Sequence, residues 1–259
     1  MVTGNGNAHA IDVRDVTKSF GADADAVVAV KDISFSVGNN EFVSIVGPSG
    51  CGKSTMLRLI ADLLPPSSGS ISVAGQTARE ARLARAIGVV FQNPVLYAWR
   101  SVRRNVELPL EVMGVGRNER RRRSGEMLEL VALQDFARKN PWQLSGGMQQ
   151  RVSIARALSF NPDILLMDEP FGALDEITRE RMNAELQRIW ETTHTTILFI
   201  THSIPEAVFL SNRVLVMSPR PGRIVLDRRI DLPHPRNELT REDDRFFHLI
   251  NEIRAGLRE

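Results

Sequence analysis

Phe42-Val43-Ser44-Ile45-Val46-Gly47-Pro48-Ser49-Gly50-Cys51-Gly52-Lys53-Ser54-Thr55 is the stretch that decides the fold. Its first five residues are almost continuously apolar, as in a strand buried on both faces. The next eight match G-x-x-x-x-G-K-[ST], the pattern of a phosphate-binding loop. Glycines there let successive backbone N–H groups turn inward around phosphates without a Cβ clash. A helical stretch, Met56–Leu63, follows, so a helix starting near Lys53 adds its positive end to the same place. Lys53 then reaches the β/γ-phosphates and the Ser54 hydroxyl holds Mg²⁺. Gly47, Pro48, Ser49, Gly50, Cys51, Gly52 and Thr55 complete the cradle. A mere Gly-rich turn is the bland alternative, and the strand–loop–helix context argues against it.

Working outward, further short β-branched runs alternate with helical patterns: Ile11–Val16, Ile87–Phe91, Ile164–Asp168, Thr196–Ile200 and Arg213–Met217. That alternation predicts an α/β fold with a largely parallel sheet. Between Asn93 and Phe160 helical periodicity replaces the strand pattern, which reads as a helical insertion. After Arg229 a proline-rich linker, Leu232-Pro233-His234-Pro235, leads to a closing helix over about 243–256. The chain is expected to be a single domain over 1–259. Its α/β core would comprise about 11–94 and 161–230, with a helical subdomain at about 95–160 and a linker and helix at about 231–259.

Composition narrows the function classes. Basic side chains number 33 against 31 acidic, a formal net charge of +2. A general nucleic-acid binder would show a basic excess. One cysteine, Cys51, excludes an internal disulfide and fits a reducing compartment. Met1–Ala10 is polar and glycine-rich, without the apolar core of a secretory signal. The most apolar stretches are strand-sized, far from the ~20 residues that cross a bilayer. A membrane role is therefore expected only through a partner.

Ile164–Met167 ends in two carboxylates, Asp168 and Glu169. Downstream of a phosphate loop, the first would orient Mg²⁺ and the second activate the attacking water as a general base. An isolated Asp-Glu pair would more commonly be a solvated turn.

Leu144-Ser145-Gly146-Gly147-Met148-Gln149-Gln150-Arg151, together with both motifs above, resembles the ATP-binding subunits of ABC transporters, and the likeness spans about Ile11 to Gly222. It implies an α/β P-loop NTPase core with a mainly parallel sheet, antiparallel β elements near the N-terminus and the inserted helical subdomain. It also implies that the octapeptide acts across a head-to-tail dimer, with Ser145, Gly146, Gly147 and Gln149 capping the γ-phosphate held by a second copy. Ser145 offers a hydroxyl and the glycines expose N–H groups at a helix start. By the same resemblance Phe20 stacks on adenine, Gln92 contacts Mg²⁺ and senses the permease, Asp175 couples the two sites, and His202 contacts the γ-phosphate. For Phe20 an ordinary core position is the alternative.

Trp99–Val106 and Met217–Ile224 look like the nitrate/sulfonate/taurine group of importers, which also includes transporters of aromatic acids and thiamine precursors. That group usually has a proline where this chain has Ala98. The resemblance implies transmembrane permease subunits as partners, an extracytoplasmic solute-binding protein acting indirectly, and a place on the cytoplasmic face of the cell membrane. Tyr97-Ala98-Trp99 reads equally as core packing or as the rim of the groove that receives the permease. Arg120–Arg123, interleaved with Glu119 and Glu126, reads as a solvated face rather than an RNA or lipid site. The Cys51 thiol, flanked by loop glycines, is expected to be covered when nucleotide binds. Two rivals remain: a mechanical ABC ATPase on DNA or the ribosome, and a P-loop small-molecule kinase. Lys53 and Ser145 are too close in sequence for the long coiled coil of the first, and the octapeptide has no purpose in the second.

Overall fold

The computed structural model describes residues 9–21 and 26–257, so most of Met1–Ala10 lies outside the described residues. The chain runs β1 (Ile11–Phe20), β2 (Val27–Val37), β3 (Phe42–Val46), α1 (Lys53–Ile60), β4 (Ser68–Val73), β5 (Gln76–Thr77), α2 (Ala78–Leu83) and β6 (Ile87–Val90). It continues α3 (Val102–Val112), α4 (Arg117–Leu130), α5 (Gly146–Leu158), β7 (Ile164–Asp168), α6 (Glu176–Thr193) and β8 (Thr196–Ile200). It ends α7 (Ile204–Leu210), β9 (Arg213–Met217), β10 (Ile224–Arg229) and α8 (Asp244–Gly256).

The main sheet has the order β10-β9-β3-β8-β7-β6, with β9 to β6 mutually parallel and β10 antiparallel on the edge. Its central strands are apolar throughout because alternate side chains enter two different cores. In β3, Phe42 and Val46 join the cluster beneath the helices, while Val43 and Ile45 join the cluster facing α1 and the N-terminal sheet. The same division holds in β8, where Ile197 and Phe199 face one way and Leu198 and Ile200 the other. Each fully buried side chain of this size contributes roughly 1.5–3 kcal/mol.

The second sheet, β2-β1-β4-β5, is antiparallel, as expected near the N-terminus. Its strands are less legible because one face meets solvent: β2 alternates buried Ile33, Phe35 and Val37 with Asp32, Ser34 and Ser36. In β4 only Val73 is fully buried. Register shifts interrupt the β1–β2 pairing, and Asp15 and Asp32 both take positive φ, at 50° and 49°. β1 runs on to Phe20, beyond the Val16 that its apolar residues suggest.

Between β6 and β7 the described segments are helical, with α3, α4 and α5 contributing Val102, Val106, Leu128 and Ile154 to the core under the main sheet. In the arginine run on α4, Arg122 pairs with Glu119 and Glu126 and Arg123 with Glu119, while Arg120 donates to the Val115 carbonyl. The proline-rich linker is pinned by Arg236, whose buried guanidinium donates to the carbonyls of Val208, Phe209 and Ser211 at the end of α7. Burial lowers its pKa to about 10, so it stays charged at neutral pH. α8 begins after the N-cap Asp243 and buries Phe246, Leu249, Ile250 and Ile253. Among the described residues no helix is long and apolar enough to cross a membrane.

Candidate functional site

Four neighbouring strands deliver the chemistry to one edge of the sheet. In the order β3-β8-β7-β6, their C-terminal ends lead into the Gly47–Thr55 loop, His202, Asp168 with Glu169, and Gln92. Ligands of open parallel sheets gather outside this edge.

The loop after β3 is shaped by glycine. Gly50 and Gly52 have φ of 75° and 107°, and a Cβ on Gly52 would lie 2.6 Å from Val30 Cγ1. Lys53 is 5% exposed, and its ammonium donates to the carbonyls of Gly47 at 2.8 Å and Pro48 at 3.0 Å. Glu169 Oε1 stands 4.0 Å from the same nitrogen. A cleft of about 430 Å³ opens over the loop, lined by Phe20, Lys53, Ser54, Thr55, Glu169 and Arg220 among others. Phe20 is 42% exposed, so it is a cleft wall and not a core residue.

Asp168 and Glu169 are adjacent yet serve different partners, because Glu169 has φ 44° and the chain turns there. Ser54 donates to Asp168 Oδ1 at 2.8 Å, whereas Glu169 Oε2 lies 2.9 Å from His202 Nδ1. Burial raises the pKa of Asp168, opposed by the Ser54 hydrogen bond. A desolvated carboxylate beside a hydroxyl is a hard-oxygen donor pair, which fits Mg²⁺ completed by phosphate oxygens. No cluster of three or more His, Cys, Asp or Glu among the described residues could hold a metal by itself. Gln92 reaches the same rim: a Cβ on Gly172 would sit 3.4 Å from Gln92 Nε2 and 3.5 Å from Glu169 Oε2.

The octapeptide lies elsewhere, for none of its residues lines the cleft. Ser145 caps α5 by accepting from Met148 N–H at 3.3 Å, and Ser145 and Gly146 are exposed. Gln149 donates to the Leu144 carbonyl at 3.2 Å. Asp175 caps α6 through Thr178 N–H at 3.0 Å, an interaction that lowers its pKa. A Cβ on Gly147 would meet Thr178 Cγ2 at 3.1 Å, so octapeptide and Asp175 form one continuous patch.

The thiol departs from expectation. Cys51 is 1% exposed and faces the core below the loop, with a Cβ on Gly47 only 2.9 Å from its Sγ. Burial pushes its pKa up. Alkylation of the native chain is therefore expected to be slow with or without Mg·ATP; fast alkylation that nucleotide suppresses would contradict this placement.

A buried network behind His202 went unnoticed in the sequence. The Glu206 side chain, 5% exposed, accepts from the Thr201 hydroxyl, which itself accepts from Ser203 N–H at 3.0 Å. These contacts flank His202 on both sides. The Ser203-Ile204-Pro205-Glu206 spacing, a capping pattern at the start of α7, was the available signal.

A parallel sheet whose edge joins a phosphate loop to a strand-end carboxylate pair defines a P-loop nucleoside triphosphatase. The ABC transporter family profile matches residues 30–172. A taurine import ATP-binding protein of Rhizobium johnstonii is 51% identical, covering 89% of each chain. A nitrate import ATP-binding protein of Synechocystis is 45% identical, covering 96% of this chain and 95% of that one. Among solved structures, a dimeric ATP-binding cassette bound to ADP and phosphate in a post-hydrolysis state superposes with a TM-score of 0.73 at 35% identity, covering 86% of this chain and all of that one. The chain belongs to the ABC transporter family, as one of its transport-coupled ATPases.

Proposed function

We propose that this chain is the ATP-hydrolysing subunit of an importer for nitrate, a sulfonate, taurine or a related small anion, working as a dimer on the cytoplasmic face of the membrane. The observation that carries it is the separation of parts. The cleft holds Lys53, Ser54 and Glu169 but no residue of the octapeptide, whose Ser145 and Gly146 are exposed, so in this reading a second copy supplies Ser145, Gly146, Gly147, Gln149 and Asp175. The names and identities of the taurine and nitrate import relatives support the import direction and substrate class. A solute-binding protein and the permease complete the assembly, and no nucleic acid takes part.

In this reading Phe20 stacks on adenine, the Gly47–Thr55 loop cradles the phosphates and Lys53 turns from its carbonyl partners toward them. Ser54, Asp168 and Gln92 would hold Mg²⁺, which would supply positive charge against the phosphates. Glu169 accepts a proton from the attacking water as its oxygen bonds to the γ-phosphorus and the bridging bond to ADP breaks. His202, bonded to Glu169, aligns that carboxylate. ATP favours the closed dimer, and hydrolysis releases it, shifting the permease between its two states. The segment of about 95–160 serves as the helical subdomain between core portions 11–94 and 161–230, with 231–259 as the closing appendage.

Trp99 belongs to the permease interface in this reading. It is 77% exposed and rests on Tyr97 with ring centroids 4.8 Å apart, so core packing is not its role. An apolar groove beside it is lined by Phe91, Val95, Tyr97, Pro109, Val112 and Met113. Trp99→Ala is expected to leave basal ATPase and melting temperature unchanged while lowering solute uptake by the reconstituted transporter, by roughly tenfold if it is a hot spot. Equal loss of ATPase and uptake, with a fallen melting temperature, would remove it from the interface. The overall reading is tested by reconstituting the chain with a membrane permease that copurifies with it and assaying ATP-dependent uptake of nitrate and taurine.

A further inference from the structure

The turn Ser218-Pro219-Arg220-Pro221-Gly222-Arg223 between β9 and β10 has no part in the chemistry above, yet it is built against the phosphate loop. Gly222 N–H donates to the Ala29 carbonyl at 3.0 Å, and its own carbonyl accepts from Lys31 N–H at 2.9 Å. A Cβ on Gly222 would lie 2.1 Å from the carbonyl oxygen of Cys51, so only glycine allows this approach. The turn is closed internally by Ser218, whose N–H donates to the Arg223 carbonyl at 2.9 Å and whose hydroxyl accepts from Arg223 N–H at 3.1 Å. A firmly seated turn thus presents Arg220 at a fixed place.

That place is the nucleotide cleft. Arg220 lines it together with Phe20, Val27, Ala29, Gly50 and Lys53. One guanidinium nitrogen, Nη2, donates to the Gly50 carbonyl at 3.1 Å. Among the described residues no carboxylate pairs with Arg220, whereas its neighbours in the chain Arg213, Arg223 and Arg228 each have an acidic partner. A guanidinium has five N–H donors in a planar fork suited to phosphate oxygens, so Arg220 keeps donors to offer after bonding Gly50.

We propose that Arg220 is a nucleotide-binding residue: bridging the Gly50 carbonyl and the bound phosphate chain, it adds a second cation to that of Lys53. The inference rests on the nucleotide-site reading above. The structural alternative is that Arg220 only braces the loop through Gly50.

The two differ in their response to charge and salt. A hydrogen bond to a charged group at an exposed site weakens as ionic strength rises, whereas a brace to a backbone carbonyl does not depend on it in the same way. The experiment is calorimetric titration of the full chain with MgADP, for wild type, Arg220→Met, Arg220→Lys and Lys53→Ala, at roughly 0.05 and 0.5 M salt. Arg220→Met is expected to bind about tenfold more weakly at low salt, with the difference largely gone at high salt. Arg220→Lys, which keeps the charge but not the fork, should fall between wild type and Arg220→Met and keep the salt dependence. Unchanged affinity in Arg220→Met, or a loss equal at both salts and shared by Arg220→Lys, would overturn the proposal. Lys53→Ala separates the two levels: if it too binds like wild type, the nucleotide-site reading itself fails, and if it alone loses affinity, only the role of Arg220 does.

Discussion

Glu169→Gln is expected to slow ATP hydrolysis about 10²–10⁴-fold, the usual cost of losing a positioned general base. Glutamine keeps the size of glutamate and can still meet His202, which stands 2.9 Å from Glu169 Oε2. It cannot take the proton of the attacking water. The substitution also removes a negative charge 4.0 Å from the Lys53 ammonium, so phosphate meets less repulsion and ATP should bind at least as tightly. Steady-state phosphate release and nucleotide affinity, measured together, check both halves. A variant that hydrolyses ATP within a few-fold of wild type would show that another group is the base.

Lys53→Ala is the second large effect. The ammonium lies at the floor of the cleft and donates to Gly47 and Pro48. Its removal deprives the phosphates of a preorganised cation, and removal of one such group typically costs about 10²–10³ in rate. Nucleotide affinity should fall as well. Stability should fall little. Pro48, being exposed, can take water instead, while the buried Gly47 carbonyl is left short of a partner at a cost of about 1–3 kcal/mol, modest for a domain of this size. Thermal unfolding of the nucleotide-free variant is therefore expected within several degrees of wild type. Near-normal hydrolysis in Lys53→Ala would remove the phosphate-loop assignment. A collapsed melting temperature would make Lys53 a structural residue first.

The parts legible in the sequence were those buried on both faces or fixed by glycine. Phe42–Val46, Ile164–Asp168, Thr196–Ile200 and Arg213–Met217 are strands with the expected bounds, because burial on two sides leaves an unbroken apolar run. β2, β4, β5 and β10 were not located, since half or more of their side chains face solvent and the pattern dissolves into ordinary polar sequence. The phosphate loop was legible because its glycines and lysine stand together in the chain. The Cys51 thiol was placed toward the nucleotide because it stands between Gly50 and Gly52 in a loop that wraps phosphates; the loop instead turns that side chain down into the core. Trp99 was ambiguous because an aromatic residue fits a core and an interface equally well, and only its exposure separates the two. Glu206 meets Thr201 five residues away, whereas Arg220 meets Gly50 across the fold, a contact that no local motif spells out. Arg220 and Gly50 meet only through the folding of β9 and β10 against the loop after β3.

The central claim is that each nucleotide is completed by the octapeptide of a second copy. It is tested most directly by size-exclusion chromatography with light scattering on Glu169→Gln, with and without Mg·ATP, and on the same variant carrying Ser145→Arg. Ser145 is exposed at the start of α5 and outside its own chain's cleft, so an arginine there can fold yet obstruct a phosphate brought by another copy. The account predicts a monomer without nucleotide, a dimer with Mg·ATP, and a monomer again when Ser145→Arg is added, with ATP still bound in the cleft. A dimer that forms with Mg·ATP and survives Ser145→Arg would contradict it.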